Sequence, residues 1–385
     1  MKEIKGEAKL SFAEATSIII GHGVGSGILA VPYLASRNSV RDIIWIIALV
    51  YGINLILHLM IAELSYNNNG AQFIKCIEKE LFRGKAGKVL AWVCFGLIGF
   101  SVMANVCGFI IGGGAIFEAW LGIPVRASKV LYFVLVALVV LFGMKLVGIC
   151  EKISVFAMVV VIGILLVATL LNGSSDFSNK FIAASNMVAL YSMISFSLSA
   201  VMSVPQVVKG LEGDIKKVRA SIALGTGLNV LLISVITFMT IYACGNKISQ
   251  NGALVDLAGA LGGWVAVIGY IFSLLALSTS FWANTLNLRD IIHEQTGWGN
   301  RVSYIVCSVP GLLIALLGSI SFVGFTRIAS VIQVLTGIAI IVSYAKSRKK
   351  EKESPICGKF GTLVFQIVVV ASSIFASVGA LISVK

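Results

Sequence analysis

Long runs of mainly apolar residues constrain this chain more than any other feature of its sequence. Examples are residues 43–61, 131–146, 153–171 and 360–384. Their lengths approach or exceed the roughly 20 residues that a helix needs to cross the hydrocarbon core of a bilayer. Because the runs are continuous rather than alternating, a transmembrane β-barrel is excluded. The sequence therefore predicts an all-α membrane protein.

The composition agrees with this prediction. Hydrophobic residues make up 58% of the 385 residues and charged residues only 12%, whereas a soluble domain needs far more polar surface. We predict a single membrane domain over residues 1–385, with the first apolar stretch retained as a span. The eleven predicted spans are 12–35, 42–66, 89–118, 129–147, 152–172, 186–209, 217–243, 262–292, 302–319, 321–345 and 360–383.

The formal net charge of +13 reflects topology rather than a nucleic-acid partner. Of the 30 Lys and Arg residues, 22 fall in segments at alternate ends of the predicted spans: 2–9, 75–88, 145–152, 209–219, 289–301 and 346–359. Basic residues concentrate in cytoplasmic loops of membrane proteins. We therefore expect a multi-pass protein of the cell membrane with a cytoplasmic N-terminus and an extracytoplasmic C-terminus. The sequence leaves its oligomeric state open.

Two spans differ from the rest because they contain residues that disfavour a continuous helix. The first contains the sequence GHGVGSG at 21–27, and each glycine costs up to about 1 kcal/mol against alanine in a helix. The sixth contains five serines and then Pro205, and both residue types disturb helical hydrogen bonding. Both spans are predicted to be discontinuous, which is tolerated at membrane depth only where backbone lines a cavity or faces protein.

The two predicted breaks lie five spans apart, so they belong to halves of opposite orientation. This is the arrangement of secondary transporters with a 5+5 inverted repeat, in which substrate binds near the midplane. We predict one repeat at about 12–172, a second at about 186–345, and an extra span at about 360–383. No residue-by-residue repeat is visible.

Short motifs in the predicted order resemble the amino acid/auxin permease branch of the amino acid–polyamine–organocation transporters. Residues 25–33, GSGILAVPY, are similar to the first-helix motif of that branch. The sequence AEL at 62–64 resembles the second helix. The sequence VPQ at 204–206, with GDIKK at 213–217, resembles the end of the sixth helix and the following loop. The resemblance implies a leucine-transporter-type fold and amino-acid substrates. Helix five of some proton-coupled relatives carries a lysine, whereas residues 155–171 here carry no charge.

A free amino acid presents a carboxylate and an ammonium group, and the breaks offer partners for both. The helix start after the first break would bind the carboxylate through backbone N–H groups, where the helix dipole favours an anion. The residues assigned to the substrate are Gly23, Gly25, Ser26, Gly27, Phe196, Ser197 and Ser199. For the glycines the alternative is a kinked helix packed through small residues. For Phe196 it is a place in the core or against lipid, and for the serines it is bonding to the preceding turn.

The coupling ion is left open between sodium and a proton. The resemblance implies a sodium site formed by hydroxyls of helix eight with carbonyls of helix one, which points to Ser278 and Thr279, and oxygen ligands suit this cation. His22 in the first break is the candidate for a proton route, since histidine titrates near neutrality. Glu63, near the inner end of the second span, is the candidate for an inner gate paired with Lys or Arg.

These observations together predict a secondary active transporter for amino acids that works by alternating access and needs no cofactor besides its coupling ion. The alternative of a different class is a permease-like receptor subunit of the same fold, as in spore germinant receptors. An enzyme is disfavoured because no metalloprotease, serine-hydrolase or phosphate-loop motif is present.

Overall fold

The structure of the protein is a computed structural model. It describes residues 4, 8–25, 27–82, 84–172, 183–249, 252–318, 322–351, 355–380 and 382, without the side chains of 246 and 322–335. The described residues form the following α-helices: α1 Phe12–Gly23, α2 Gly27–Ala35, α3 Val40–Asn67, α4 Phe73–Leu81, α5 Gly84–Leu121, α6 Val125–Leu141, α7 Met144–Asn172, α8 Ala184–Ser197, α9 Val204–Gly210, α10 Ile215–Cys244, α11 Ala253–Leu261, α12 Trp264–Thr296, α13 Asn300–Leu317, α14 Phe322–Lys350 and α15 Leu363–Ala380.

Eight helical segments among the described residues are long and apolar enough to cross a bilayer, and the bent pair of α1 and α2 adds a ninth span. In this count α8 and α9 form one segment. The 17-residue α6 and the longer α14 are not among the nine. The predicted number of eleven spans is therefore not confirmed, whereas the multi-pass helical architecture is.

The first span is broken where its glycines cluster. The helix α1 begins with a capping box, in which the Ser11 hydroxyl accepts from the Glu14 N–H and the Glu14 carboxylate accepts from the Ser11 N–H at 2.7 Å. It ends at Gly23, and α2 begins at Gly27 with its axis bent by 54° from that of α1. The predicted break is confirmed.

The sixth span is interrupted between Ser197 and Val204. The helix α8 ends at Ser197, and a single 3₁₀ turn at Val201–Ser203 separates it from α9. Pro205 lies in the first turn of α9, where a missing N–H costs no helical hydrogen bond. This break is also confirmed. The division of the chain into two repeats stays a prediction.

Three segments between the long helices are structured. The helix α4 packs against α14 and α5, and α5 begins at Gly84 rather than at the predicted residue 89. The segment 246–261, which lies between two predicted spans, contains the nine-residue helix α11. The segment 346–359 is helical to Lys350, and its later residues Ile356 and Cys357 are buried.

The outer faces of the bundle are apolar. Phe156, Leu171 and Leu363 are each more exposed than buried, and they belong to a large set of exposed Val, Leu, Ile and Phe side chains on the long helices. Contiguous exposed apolar surface of this kind marks a membrane contact. Many polar side chains of the spans are instead buried inside the bundle, among them Asn54, His58, Glu151 and Asn229.

Candidate functional site

A cavity of about 610 Å³ lies between the two breaks. Its walls include Gly23, Gly25 and Gly27 of the first span and Phe196, Ser197 and Ser199 of the sixth. The structure therefore brings together six of the seven residues that the sequence assigns to the substrate. The seventh, Ser26, lies outside the described residues.

The remaining wall of the cavity is formed by residues that the sequence does not assign to the site, most of them on other helices. Its apolar part includes aliphatic, thioether and aromatic side chains: Leu57, Ile61, Phe109, Met193, Met202 and Ile340. Asn54 and Asn105 interrupt this surface, although their sequence context favours a role in helix packing. The last helix, α15, also lines the cavity, at Ser373, Ala376 and Ser377. No sequence signal distinguishes it from an accessory span.

The four alternating glycines of the first span make room for polar side chains from four other helices. Each glycine lies against one of these side chains. Gly21 contacts Glu151 of α7, and Gly23 contacts Asn229 of α10. Gly25 contacts Ser280 of α12, and Gly27 contacts Ser197 of α8. In each case a Cβ built on the glycine would lie within 2.7 Å of a side-chain oxygen or nitrogen. The glycine pattern is therefore explained by close approach of polar groups as well as by the bend.

His22 joins the two breaks. Its Nδ1 is hydrogen bonded to the Ser203 hydroxyl of the sixth span at 2.7 Å, and the Asn284 amide of α12 lies 3.5 Å from its Nε2. The ring also borders the cavity. These contacts place His22 as predicted, inside the broken helix, and its role as a proton carrier stays a prediction.

His58 of α3 stabilises the sixth break, a role that sequence reasoning missed. Its Nε2 accepts a hydrogen bond from the Ala200 N–H at 2.9 Å, and its Nδ1 lies 2.6 Å from the Asn54 carbonyl oxygen. Because Nε2 accepts, the ring proton is on Nδ1 and donates to that carbonyl. A buried His therefore satisfies a backbone N–H that the broken helix leaves unpaired.

The hydroxyls of α12 that face the first span are those of Thr279 and Ser280 rather than Ser278. The Thr279 hydroxyl donates to the Gly21 carbonyl oxygen at 2.9 Å, whereas Ser278 lies beside Tyr132 of α6. Ser278 points to another side of α12 because consecutive residues on a helix point in directions about 100° apart. The sodium-coupling role predicted for Ser278 and Thr279 stays a prediction. The described residues contain no group of three His, Cys, Asp or Glu side chains suited to a metal ion.

Glu151 is a second buried group that the sequence analysis missed. The predicted fourth and fifth spans leave it in a loop, but α7 begins at Met144 and carries Glu151 inside the bundle. It is fully buried beside Gly21.

Polar contacts close the end of the bundle that carries the basic segments. Glu294 of α12 forms an ion pair with Lys209 of α9 and accepts from the Gln72 N–H at 2.8 Å. The Asn287 amide donates to the Gln72 side chain at 3.0 Å and to the Met202 carbonyl oxygen at 2.7 Å. The cavity instead extends toward the opposite end, where Tyr33, Gly252 and Ile382 line it.

Glu63 lies in a network that fixes the segment before the last helix. Its carboxylate is 3.6 Å from the Arg348 guanidinium and accepts from the Tyr344 hydroxyl at 2.9 Å. It also accepts from the N–H groups of Ile356 and Cys357. The predicted pairing with a basic residue is present. The backbone contacts explain Glu63 equally well as an anchor, so the gate role stays a prediction.

The architecture defines the class of protein: a helical membrane transporter with its cavity between two broken helices. A family model described as the tryptophan/tyrosine permease family matches residues 8–378. The chain belongs to this family, and its predicted class, a secondary transporter rather than an enzyme, is confirmed. The narrower resemblance to the amino acid/auxin permease branch is not specifically supported. No curated protein matches the chain.

Solved transporter structures are similar over the whole chain. One is MhsT in complex with L-phenylalanine, with a TM-score of 0.71 and 17% identity, covering 98% of this chain and 100% of that one. Another is MHP1, a nucleobase-cation-symport-1 family transporter in a closed conformation with bromovinylhydantoin bound. Its TM-score is 0.68 at 11% identity, covering 100% of this chain and 96% of that one. At these identities the likeness shows the fold, which is of the predicted leucine-transporter type.

Proposed function

We propose that this protein transports aromatic amino acids, tryptophan or tyrosine in particular, by cation-coupled alternating access. The observation that carries the proposal is the cavity between the breaks, which combines open backbone of the first span with a largely apolar wall. Its volume of about 610 Å³ falls within the range typical of small-molecule sites. The family description and the L-phenylalanine bound to MhsT support an aromatic side chain.

The two polar groups of an amino acid would bind at the breaks. The start of α2 has N–H groups without intrahelical partners, and its dipole favours the substrate carboxylate. The carbonyl oxygens near residues 20–23 and 196–199 are the acceptors for the ammonium group. The ring of Phe196, which contacts the position of Gly27, would then cover the substrate.

The apolar wall would hold the aromatic ring. Phe109 lines the cavity on α5, one turn beyond Asn105, with Ile340 of α14 on the same wall. Aromatic side chains gain most from burial in such surroundings. A substrate with a small side chain would leave this wall unfilled. A substrate with a charged side chain would lose the hydration of that charge against the wall, which is unfavourable.

Uptake of labelled amino acids by purified protein in liposomes tests the proposal. Saturable uptake of tryptophan, competed by tyrosine and phenylalanine but not by alanine or lysine, is the expected result. Sodium and proton gradients are imposed separately to identify the driving ion. If no aromatic amino acid binds or moves, the proposal is wrong. If tryptophan binds but never crosses, the protein is a receptor of this fold.

A pair of phenylalanines on α5 gives a matched control. Phe109→Ala should lower kcat/KM for tryptophan about 10-fold, since even small apolar groups in a pocket are worth that factor. Phe100→Ala removes the same side chain from an exposed position on the same helix and should leave uptake unchanged. Equal effects of the two variants would contradict the assignment of the ring to this wall.

We also propose the predicted orientation, with a cytoplasmic N-terminus, an extracytoplasmic C-terminus and the basic segments inside. The polar contacts around Glu294 then close the cytoplasmic end of the cavity. A C-terminal alkaline phosphatase fusion should be active and a C-terminal fluorescent-protein fusion dark. The reverse result would place the C-terminus inside and, with a cytoplasmic N-terminus, require an even number of spans.

A further inference from the structure

Glu151 is a buried acidic group that is not part of the proposed substrate site. Neither its backbone nor its side chain is exposed, and neither carboxyl oxygen has a hydrogen-bond partner among the described residues. Buried carboxyl groups are normally paired or hydrogen bonded. An unpaired one buried between the helices of a membrane protein points to a function.

The carboxyl group of Glu151 is aimed at the first break. A Cβ built on Gly21 would lie 1.8 Å from Glu151 Oε2 and 3.0 Å from Thr279 Cβ. Only glycine at 21 leaves room for the carboxyl group between α1, α7 and α12. The Thr279 hydroxyl and the Gly21 carbonyl oxygen, already hydrogen bonded to each other, border the same space.

No basic group neutralises this carboxyl group among the residues that the structure describes. Several charged or titratable side chains on the helices packed against α7 have other partners, as follows: Glu14 with Lys145 and His22 with Ser203 on α1, Lys129 with the Ala315 carbonyl on α6, Lys217 with Asp214 at the start of α10, Asp256 with Ser249 on α11, and Arg289 with Asp290 on α12. A charged carboxylate here is costly without a cation.

We propose that Glu151 holds the coupled cation, one positive charge bound against its carboxyl group where α1 packs on α7. A sodium ion or a proton can supply that charge. Binding would remove the cost of the buried carboxylate and so favour packing of the first span on α7 and α12. The inference rests on the proposed function, because it assigns the driving cation of that transport to a residue.

The experiment compares Glu151→Gln with the wild-type chain in liposomes, using labelled tryptophan. Lys152→Gln, an exposed neighbour on the same helix, is the matched control. A membrane potential of 100 mV acting on one co-transported charge permits about 50-fold accumulation. The wild type and Lys152→Gln should accumulate substrate toward that limit. Glu151→Gln should exchange internal for external tryptophan but accumulate none above equilibrium.

Two arms distinguish the cations: a sodium gradient at constant pH, and a pH gradient without sodium. If one gradient drives tryptophan accumulation in the wild type and Glu151→Gln loses that accumulation, the proposal is supported and the gradient identifies the ion. Accumulation by Glu151→Gln equal to that of the wild type overturns it.

A second measurement uses the wild-type chain alone and does not depend on how the variant folds. Dicyclohexylcarbodiimide reacts with buried protonated carboxyl groups, and mass spectrometry of the labelled chain locates the adduct. Labelling of Glu151 that sodium or rising pH suppresses supports the proposal, and labelling indifferent to both overturns it. This labelling experiment needs no substrate. If the wild-type protein moves no tryptophan, the proposed function is refuted, whereas the labelling result still tests the role of Glu151.

Discussion

The first and the sixth spans are both broken, but the two breaks differ in how their backbone and surroundings are satisfied. The sixth break is closed by its own neighbours, since the Ala200 N–H is paired with His58 and Pro205 removes a donor from the next turn. Around the first break, buried polar atoms of Glu151, Asn229 and Ser280 have no protein partner among the described residues. The backbone of the sixth break is therefore held by its neighbours, although the Gln206 side chain beside it is also unpaired, and the first break leaves more buried polar atoms available to a ligand.

The largest expected effect comes from adding a methyl group at the first break. A Cβ on Gly23 would lie 2.2 Å from the Asn229 amide nitrogen and 3.4 Å from the Ser197 carbonyl oxygen. Gly23→Ala should abolish uptake and destabilise the protein by about 1–3 kcal/mol, as overpacking does.

Gly163→Ala is the control for that substitution. Nothing lies within 4 Å of a Cβ built on Gly163 of α7, so alanine there should be neutral or stabilise by up to about 1 kcal/mol through helix propensity. Uptake and thermal unfolding of both variants are measured in detergent and in liposomes. Normal uptake by Gly23→Ala would show that the first break is not the binding region.

The next largest effect is expected on stability when His58, which is hydrogen bonded to the backbone of the sixth break, is replaced. His58→Leu leaves the buried Ala200 N–H unpaired, which should cost about 1–3 kcal/mol, whereas His58→Gln retains an acceptor near the position of Nε2 and should cost less. Thermal unfolding ranks the two variants. Equal stability of His58→Leu and the wild type would contradict the described hydrogen bond.

A smaller loss of stability and uptake is expected when the Thr279 hydroxyl is removed, and it should exceed the loss for Ser278. Thr279→Val keeps the shape of the side chain but removes the hydrogen bond to Gly21, which should cost about 1 kcal/mol and lower the uptake rate by loosening the first span. Ser278→Ala, on a different face of α12, should change uptake less. A larger loss in Ser278→Ala would favour Ser278 over Thr279 as the more important hydroxyl.

The smallest effect should be confined to stability. Asp214 is the N-cap of α10, and hydrogen bonds from the Lys217 side chain and N–H lower its pKa below the ordinary value of 3.8. Asp214→Ala should cost about 0.5 kcal/mol, the low end for an N-cap, because the pair with Lys217 is solvated and weak. Uptake should be unchanged.

The pH dependence of that difference follows from the direction of the pKa shift. A lowered pKa in the folded state stabilises the protein above the unfolded-state value and is lost as pH falls through the folded-state value. The gap in stability between the wild type and Asp214→Ala should therefore shrink below about pH 4. A gap that persists at lower pH would mean that the aspartate acts through packing.

Much of the cavity was predictable because the breaks leave a mark on the sequence. Alternating glycines and a serine run before a proline are rare inside apolar spans, so Gly23, Gly25, Gly27, Ser197 and Ser199 could be assigned from the residue pattern alone. The role of His58 could not be predicted, since it depends on which backbone N–H lies opposite the ring 142 residues away. Glu151 was missed because an error of a few residues in a helix boundary moved it into a loop.

Apolar length and helix-breaking residues are local properties, and for that reason the amino-acid sequence alone specifies a helical membrane protein with discontinuous first and sixth spans. The three-dimensional packing was needed to show which side chain meets which glycine, that Ser280 rather than Ser278 faces the first break, and that α15 lines the cavity. Those outcomes depend on the rotation and depth of packed helices. One residue of difference along a helix turns a side chain by about 100°, a precision that apolar patterns do not encode.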